Sequence, residues 1–232
     1  MTRIKICGMT REEDIRFCIE AGVHALGFVV EYPIEVPWNL DRMKARELMR
    51  HVPPFVSRVI VVGDDPGTVI ELADLLKPHV IQLHGNESPS VTAQITTALK
   101  ERNIQVIKAL RLSVETGKCH FSGKDPLYVA RVIEGIGVDA ILLDSVSSTR
   151  PAGTGRSIDW GIAHTICRDV TLPVILAGGL HSGNIGQAIS AVNPYGVDVI
   201  SGVEYPVGKK DPEKVRAFVD AVSASRTTSH PL

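Results

Sequence analysis

Residues 174–202 of the chain read VILAGGLHSGNIGQAISAVNPYGVDVISG, two short apolar runs separated by a segment of helical period. The runs are Val174–Ala177 and Val197–Ile200, and Ile185–Val192 between them carries apolar residues at helical spacing. A run that is apolar almost throughout is typical of a strand that is covered on both faces, as in a parallel sheet. The stretch therefore predicts a strand, a crossover helix and a second, parallel strand.

The same unit repeats along all 232 residues. Eight apolar runs alternate with amphipathic stretches, and the unit length suits a closed barrel, which typically has about 250 residues. We predict an α/β protein formed by a single (β/α)8 TIM barrel, with an open doubly wound sheet as the alternative. The predicted strands are Ile4–Cys7, Ala25–Val30, Arg58–Val62, Val80–Leu83, Val106–Leu110, Ala140–Leu143, Val174–Ala177 and Val197–Ile200.

The barrel is predicted to span residues 1–222, with residues 223–232 as a polar C-terminal tail. Residues 113–127 contain two glycines and a proline, and they indicate a loop insertion whose role the sequence does not assign. Helices are predicted to begin after the capping residues Thr10, Asp65, Ser88 and Asp211.

Charge and composition narrow the range of partners. The chain has 25 Lys+Arg and 26 Asp+Glu residues, a formal net charge of -1, and it therefore lacks the basic footprint of a nucleic-acid-binding protein. No run approaches the roughly 18 apolar residues of a membrane span. The four cysteines form no C-x-x-C pair, so we expect no disulfide framework, no metal site and a cytoplasmic location.

In a barrel of this kind the active site is built at the C-terminal ends of the strands. Polar residues and glycines follow every predicted strand, and they form a ring of candidates. The ring comprises Cys7, Gly8, Glu31, Tyr32, Asp64, His84, Gly85, Arg111, Asp144, Gly178, Gly179, Ser201 and Gly202.

The ends of the last two predicted strands carry the clearest signal. Gly178-Gly179 and Ser201-Gly202 present backbone amides where barrels commonly bind phosphate. Either motif alone is equally well explained by a tight turn, but the two together favour a phosphorylated small molecule as the ligand. Gly153-Thr154-Gly155 could add an amide or only make a loop flexible.

Two further residues of the ring suggest proton transfer. Cys7 ends the first strand just before a predicted helix, and a helix N-terminus with nearby cations lowers the pKa of a thiol. Asp144 follows an entirely apolar strand, and a carboxyl group held at such a mouth can act as a general acid. Each has a plain alternative, a small buried hydrophobe for Cys7 and a loop-anchoring carboxylate for Asp144. The pair predicts an isomerase or lyase that acts on a sugar phosphate.

Motifs in order along the chain resemble the phosphoribosylanthranilate isomerase family. The most specific are Lys-Ile-Cys-Gly, Gln-Leu-His-Gly and Ser-Gly-Val-Glu, and the matching stretches are Lys5–Thr10, Gly27–Val29, Ile81–Gly85, Val106–Ala109, Leu142–Ser145, Gly153–Gly155, Asp159-Trp160, Leu176–Leu180 with Asn184, and Asp198–Glu204.

The resemblance implies a cofactor-free and metal-free Amadori rearrangement in tryptophan biosynthesis. N-(5'-phosphoribosyl)anthranilate is converted to 1-(o-carboxyphenylamino)-1-deoxyribulose 5-phosphate, with Asp144 as the general acid and Cys7 as the general base. The implied phosphate ligands are Gly155, Gly179, Ser201 and Gly202, and further candidate substrate contacts are Lys5, Gln82, His84 and Trp38. Monomer and homodimer both remain open.

Two positions depart from the family pattern. The loop after the second strand usually carries Ser-Pro-Arg, whose Arg is expected to bind the anthranilate carboxylate, whereas this chain has Glu35-Val36-Pro37-Trp38-Asn39 and no Arg there. Losing a charged hydrogen bond of this kind weakens binding by about 1.5–3 kcal/mol. Trp38 offers stacking instead. Ile200 replaces a Ser that usually precedes Ser-Gly-Val-Glu.

Three alternatives stand beside the isomerase, and the first two follow from these departures. A paralogue could isomerise another aminated ribose phosphate, and a non-catalytic protein could bind a sugar phosphate in a decayed pocket. A lyase or synthase such as indole-glycerol-phosphate synthase should need a Lys at the mouth, but Lys5 and Lys108 both lie inside predicted strands.

Overall fold

The structure is a computed structural model that describes residues 1–120, 123–147 and 156–225. In these ranges nine strands alternate with eight α-helices, as the sequence predicts apart from one short additional strand. The strands are β1 Arg3–Cys7, β2 Ala25–Val30, β3 Asn39–Leu40, β4 Ser57–Val62, β5 Val80–Leu83, β6 Gln105–Ser113, β7 Ala140–Val146, β8 Val174–Leu176 and β9 Gly196–Val199. The helices are α1 Glu12–Glu20, α2 Arg42–Met49, α3 Pro66–Leu76, α4 Pro89–Lys100, α5 Pro126–Ile136, α6 Trp160–Asp169, α7 Ile185–Val192 and α8 Pro212–Ala224.

The sheet closes on itself. All its strand pairs are parallel, and β1 pairs with β2 on one side and with β9 on the other. The predicted (β/α)8 barrel is therefore confirmed, and the open doubly wound sheet is excluded. The additional strand β3 has two residues and pairs only with the end of β2.

Strand residues alternate between two apolar layers, which explains why the runs in the sequence are apolar throughout. Val106 and Leu110 of β6 belong to the large layer between strands and helices. Ile107 and Ala109 point the opposite way, into the barrel interior. The interior cluster consists of Val59, Val80, Ile107, Ala109, Ala140, Leu142, Ile175 and Ala177. The barrel interior is thus a packed core and not a pore, and the predicted ligand site lies at its mouth.

Most helix starts follow the predicted caps. The side chains of Asp65, Ser88 and Asp211 each accept a hydrogen bond from the first turn of the helix that follows. The prediction for Thr10 is wrong, because α1 begins after Arg11 and the Thr10 hydroxyl instead donates to the Gly208 carbonyl at 2.9 Å. Thr10 therefore ties the start of α1 to the loop before α8.

Strands β6 and β7 each run three residues further than predicted. They pair with each other through this extension, where Arg111 opposes Asp144 and Ser113 opposes Val146. Asp144 consequently lies within β7 and does not follow it, so regular pairing fixes its direction into the mouth. Residues 113–127 contain the last residue of β6, the start of α5 and, between them, Cys119, which forms an antiparallel bridge with Leu112 of β6.

Helix α8 continues to Ala224, two residues beyond the predicted boundary at 222, and the remaining tail from residue 226 lies outside the described residues. No helix in the described part of the chain combines the length and apolar character needed to cross a membrane.

Candidate active site

A pocket opens at the C-terminal ends of the strands. It brings together several of the predicted candidates from the two halves of the barrel. The lining residues that carry the argument below are Cys7, Val29, Tyr32, Val36, Trp38, Val61, Gln82, His84, Asp144, Gly178, Gly179, Asp198, Ile200, Ser201 and Gly202.

Cys7 is the last residue of β1 and is buried, with its side chain against Gly27 of β2. A Cβ at Gly27 would lie 2.6 Å from the Cys7 sulfur, so only glycine leaves room for the thiol there. Burial raises the pKa of the Cys7 thiol, while the ammonium groups of Lys5 and Lys210 oppose this rise. The predicted lowering of the Cys7 pKa is wrong in this state, because desolvation of the thiolate outweighs the nearby cations.

Lys5 and Asp198 form a buried ion pair beneath Cys7. Their Nζ and Oδ2 atoms are 2.7 Å apart, and the two residues are directly paired between β1 and β9. The Lys5 ammonium is also close enough to Cys7 to favour the thiolate form. Burial alone would lower the pKa of Lys5, but the Asp198 carboxylate and Cys7 together raise it, so Lys5 stays an ammonium.

Asp198 is a site residue that the sequence analysis missed. It lines the pocket, and its second carboxylate oxygen, Oδ1, is buried without a hydrogen-bond partner among the described residues. A carboxylate inside the otherwise apolar run Val197–Ile200 was the available signal. Lys5, a predicted substrate contact, does not line the pocket but lies below it against Asp198.

Asp144 is held by one backbone and one side-chain contact. Its Oδ1 atom accepts a hydrogen bond from the Ser145 amide at 2.8 Å, and its Oδ2 atom lies 3.4 Å from His84 Nε2. His84 Nδ1 is in turn 3.1 Å from the Gln82 amide nitrogen. Gln82 and Asp144 thus contact the two ring nitrogens of the same imidazole.

Tyr32 contacts both the backbone and the ring of His84. Its hydroxyl donates to the His84 carbonyl oxygen at 3.1 Å, and the two rings meet edge to face. Of the predicted substrate contacts, Gln82, His84 and Trp38 thus lie in the pocket wall.

The two glycine turns, Gly178-Gly179 after β8 and Ser201-Gly202 after β9, meet at one edge of the pocket. Gly178 and Gly179 both have positive φ, which favours glycine. A Cβ at Gly178 would lie 2.6 Å from the Ser145 hydroxyl, and one at Gly202 would overlap the Leu180 carbonyl oxygen. The close approach of Gly202 to Leu180 joins the turns into one surface.

The backbone amides of Gly179 and Gly202 donate to no other residue in the part of the chain that the structure describes. Together with Ser201, which begins a single 3-10 turn over Ser201–Val203, they leave this edge suited to an anion. Gly155, the fourth predicted phosphate ligand, lies outside the described residues.

An apolar wall lines the pocket on the other side of β1. It consists of Val29, Tyr32, Val36, Trp38 and Val61, and Trp38 is only 5% exposed. None of the pocket-lining residues within the described ranges is Lys or Arg.

Other members of the predicted ring serve structural contacts outside the pocket. Glu31 pairs with Arg42, Asp64 accepts from the Asn86 amide, and Arg111 contacts the Asn86 side chain. Lys108 contacts Glu87 and the Gly85 carbonyl and does not line the pocket. No group of three or more His, Cys, Asp or Glu side chains within the described ranges could hold a metal ion.

Comparison with known proteins identifies the family to which this barrel belongs. The sequence profile described as N-(5'-phosphoribosyl)anthranilate (PRA) isomerase matches residues 4–221, nearly the whole chain. The chain belongs to the phosphoribosylanthranilate isomerase family. The resemblance seen in the motifs is therefore confirmed, and so is the predicted enzyme class, an isomerase of tryptophan biosynthesis.

Individual members of the phosphoribosylanthranilate isomerase family match over almost their full length. The N-(5'-phosphoribosyl)anthranilate isomerase of Methanocella arvoryzae is 39% identical, over 97% of this chain and 100% of the relative. That of Pelobacter propionicus is 38% identical over 99% of each chain.

Solved structures of the family share the barrel. The phosphoribosyl anthranilate isomerase of Thermotoga maritima matches with a TM-score of 0.81 and 32% identity, covering 97% of this chain and 100% of that one. A phosphoribosyl anthranilate isomerase in complex with reduced 1-(o-carboxyphenylamino)-1-deoxyribulose 5-phosphate matches with a TM-score of 0.78 and 33% identity over the same shares.

Proposed function

We propose that this chain converts N-(5'-phosphoribosyl)anthranilate to 1-(o-carboxyphenylamino)-1-deoxyribulose 5-phosphate by an Amadori rearrangement. The observation that carries the proposal is that Cys7 and Asp144 line one pocket with the glycine turns that follow β8 and β9. A thiol and a carboxyl group on different strands supply a base and an acid, and the turns supply a separate site for the phosphate.

Asp144 acts first, as the general acid. In its protonated form it donates its proton to the furanose ring oxygen, and the bond from that oxygen to C1' breaks as the nitrogen lone pair forms a Schiff base. His84, with Nε2 facing Asp144, and the Ser145 amide hold the carboxyl group toward the pocket.

Cys7 acts second, as the general base. Its thiolate removes the C2' proton, and the electrons of that C–H bond move to give an enolamine and neutralise the iminium nitrogen. The enolamine then tautomerises to the ketone. The thiolate needs a counter-charge in this buried position, and Lys5 provides it through its contact with the sulfur.

The phosphate is assigned to the amides of Gly179, Ser201 and Gly202. Holding it there leaves the reacting ribose carbons over Cys7 and Asp144, since both side chains line the same pocket. Fixing the phosphate at a site apart from the reacting atoms supplies binding energy that orients the ring for both proton transfers.

The test is turnover of the substrate itself. Purified protein is mixed with enzymatically generated phosphoribosylanthranilate, and the loss of anthranilate-type fluorescence is followed. The matched control is Cys7→Ser protein at equal concentration. Fluorescence loss well above that of the control supports the isomerase. Folded protein that gives no more than the background rate contradicts it and leaves the non-catalytic sugar-phosphate-binding protein as the remaining interpretation.

We also propose that the chain forms a homodimer. Phe55 is fully exposed and held at a positive φ in the loop between α2 and β4. A cavity at the same end of the barrel is lined by the first residues of several strands, among them Ser57, which stands two residues after Phe55. The related isomerase from Thermotoga maritima has been described as dimeric.

We place the reaction in the cytoplasm. All four cysteines are free thiols, three of them buried, as is usual in a reducing compartment.

A further inference from the structure

The apolar wall of the pocket and the proposed phosphate site lie on opposite sides of β1. Around the ring of strands the order is β8, β9, β1, β2 and β4, so the glycine turns lie on one side of Cys7 and the wall on the other. A substrate with its phosphate at the turns and its ribose carbons at Cys7 therefore extends its amine substituent toward Val29, Val36, Trp38 and Val61.

Trp38 is fixed in that wall by two contacts. Its Nε1 atom donates to the Glu204 carboxylate at 2.7 Å, and Lys210 pairs with the same carboxylate, with all three groups buried. The neighbouring ring carbon, Cδ1, packs on Gly8, where a Cβ would lie 2.7 Å from it. The indole thus presents a preset apolar surface and loses little freedom when a ring packs against it.

None of the wall residues carries a positive charge, and Arg111, whose charge acts on the Tyr32 hydroxyl, hydrogen-bonds the Asn86 side chain and does not line the pocket. Arg42, the next Arg along the chain, makes two hydrogen bonds to Glu31 at 2.6 and 2.7 Å and another to Glu71 at 3.2 Å. Lys210 is neutralised by Glu204. An aryl carboxylate turned toward this wall would be desolvated without an ionic partner, which is unfavourable. The favourable arrangement keeps the ring against Trp38 and leaves the carboxylate in water.

We propose that Trp38, held by Glu204, determines specificity by binding the aryl ring of the substrate and not its carboxylate. The site then accepts N-aryl phosphoribosylamines as a class, including the N-phenyl compound that lacks the ortho carboxylate. This inference rests on the proposed isomerase function and extends it to a class of substrates. The rearrangement is the same for both compounds, because the carboxylate takes no part in the proton transfers.

The experiment compares two substrates on one enzyme. Ribose 5-phosphate is condensed with anthranilate or with aniline, and kcat/KM is measured for each product. If the aryl ring alone is recognised, we expect the two kcat/KM values to lie within about threefold of each other. A site with an ionic contact to the carboxylate would favour the anthranilate compound by about tenfold or more. A preference of tenfold or more for the anthranilate compound overturns the inference while the isomerase function stands. Folded protein that turns over neither compound overturns the function itself.

Variants of Trp38 test the assigned residue. Trp38→Leu removes the aromatic surface and is expected to raise KM about fivefold or more for both substrates, with kcat and inorganic phosphate affinity nearly unchanged. Trp38→Phe keeps a ring and is expected to restore most of this loss. A Trp38→Leu variant that lowers kcat with unchanged KM overturns the assignment. If the variants do not fold, the substrate comparison on the unmodified protein still decides.

Discussion

The imidazole of His84 stands between Gln82 and Asp144, with its Nε2 atom 3.4 Å from the Asp144 Oδ2 atom. Replacing His84 with Asn removes the group that faces the carboxyl without removing the acid itself. We expect kcat to fall about tenfold while KM changes less than threefold, because the acid loses its orientation but the phosphate and aryl contacts remain. Steady-state kinetics checks this, with the remote His164→Asn variant as the matched control. An unchanged kcat would show that Asp144 is positioned without His84.

The acid and the base are tested by their own near-isosteric variants. Cys7→Ser and Asp144→Asn should each lower kcat by ~100-fold or more, since each removes a proton-transfer group. Calorimetric affinity for a ribose phosphate should stay nearly unchanged, because the glycine turns do not depend on either side chain. A Cys7→Ser enzyme with substantial activity would reject Cys7 as the base.

The raised pKa of the Cys7 thiol predicts a particular pH dependence. The pKa lies above the ordinary value of 9.0, so the thiol form dominates at neutral pH and the thiolate fraction increases as pH rises. We expect the rate at which an alkylating reagent modifies the Cys7 thiol to increase from about pH 7 to about pH 9, with no plateau in between, because this reaction needs the thiolate alone. Rates measured across this range in constant ionic strength check the sign. A rate that is flat from pH 7 to 9 would contradict it.

Asp198→Asn should move that profile to lower pH. The Asp198 carboxylate opposes ionisation of Cys7, and its removal leaves the Lys5 charge uncompensated beside the sulfur. Thiol alkylation rates against pH, measured in the absence of substrate, report the Cys7 pKa directly, with Cys7→Ser protein correcting for the other thiols. A shift to higher pH would contradict the assignment of charges beneath Cys7.

The phosphate site can be tested with a pair of glycines. Gly202→Ala places a methyl group against the Leu180 carbonyl oxygen, whereas a Cβ at Gly186 in α7 meets nothing within 4 Å. We expect Gly202→Ala to weaken binding of inorganic phosphate about tenfold or more. Gly186→Ala should leave it unchanged and raise helix stability by up to about 1 kcal/mol. Equal phosphate affinity in the two variants would place the anion elsewhere.

The proposed dimer is tested at Phe55. Phe55→Asp places a charge on the fully exposed apolar side chain and should convert the dimer to a monomer without changing kcat. Light scattering after size-exclusion chromatography measures the mass, and the remote Tyr128→Asp variant serves as a control for surface charge. A monomeric unmodified protein would rule out the dimer.

The barrel could be predicted from the sequence because each strand and each turn is marked by residues that are close together in the chain. Runs such as Ala140–Leu143 are apolar on both faces, and turn residues mark their ends. The lengths of β6 and β7 were harder to predict. Both strands are extended by the pairing of Arg111 with Asp144, which depends on two strands together and is not visible in either apolar run alone. For the same reason Asp144 was expected after its strand and lies within it.

The sequence could indicate candidate site residues only where the residue type and its place at a strand end were informative by themselves. Glycine turns and a cysteine at a strand end are visible in the sequence. The contacts that decide their chemistry join distant positions, as Trp38 meets Glu204 and Lys5 meets Asp198 only after the chain has closed its ring. The direction of the Cys7 pKa was missed because it depends on how much water the folded chain removes from the sulfur, which no local pattern records.

The Lys5–Asp198 pair joins the first strand of the barrel to the last. The ion pair beneath Cys7, and the Ser201-Gly202 turn that follows β9, are thus in place only while these two strands stay hydrogen-bonded, so activity depends on that strand junction. Terminal strands are the elements most prone to open before a domain unfolds as a whole. On mild denaturation, activity should therefore disappear while most of the helical circular dichroism signal persists. Separation of β1 from β9 alone would be enough to inactivate the enzyme.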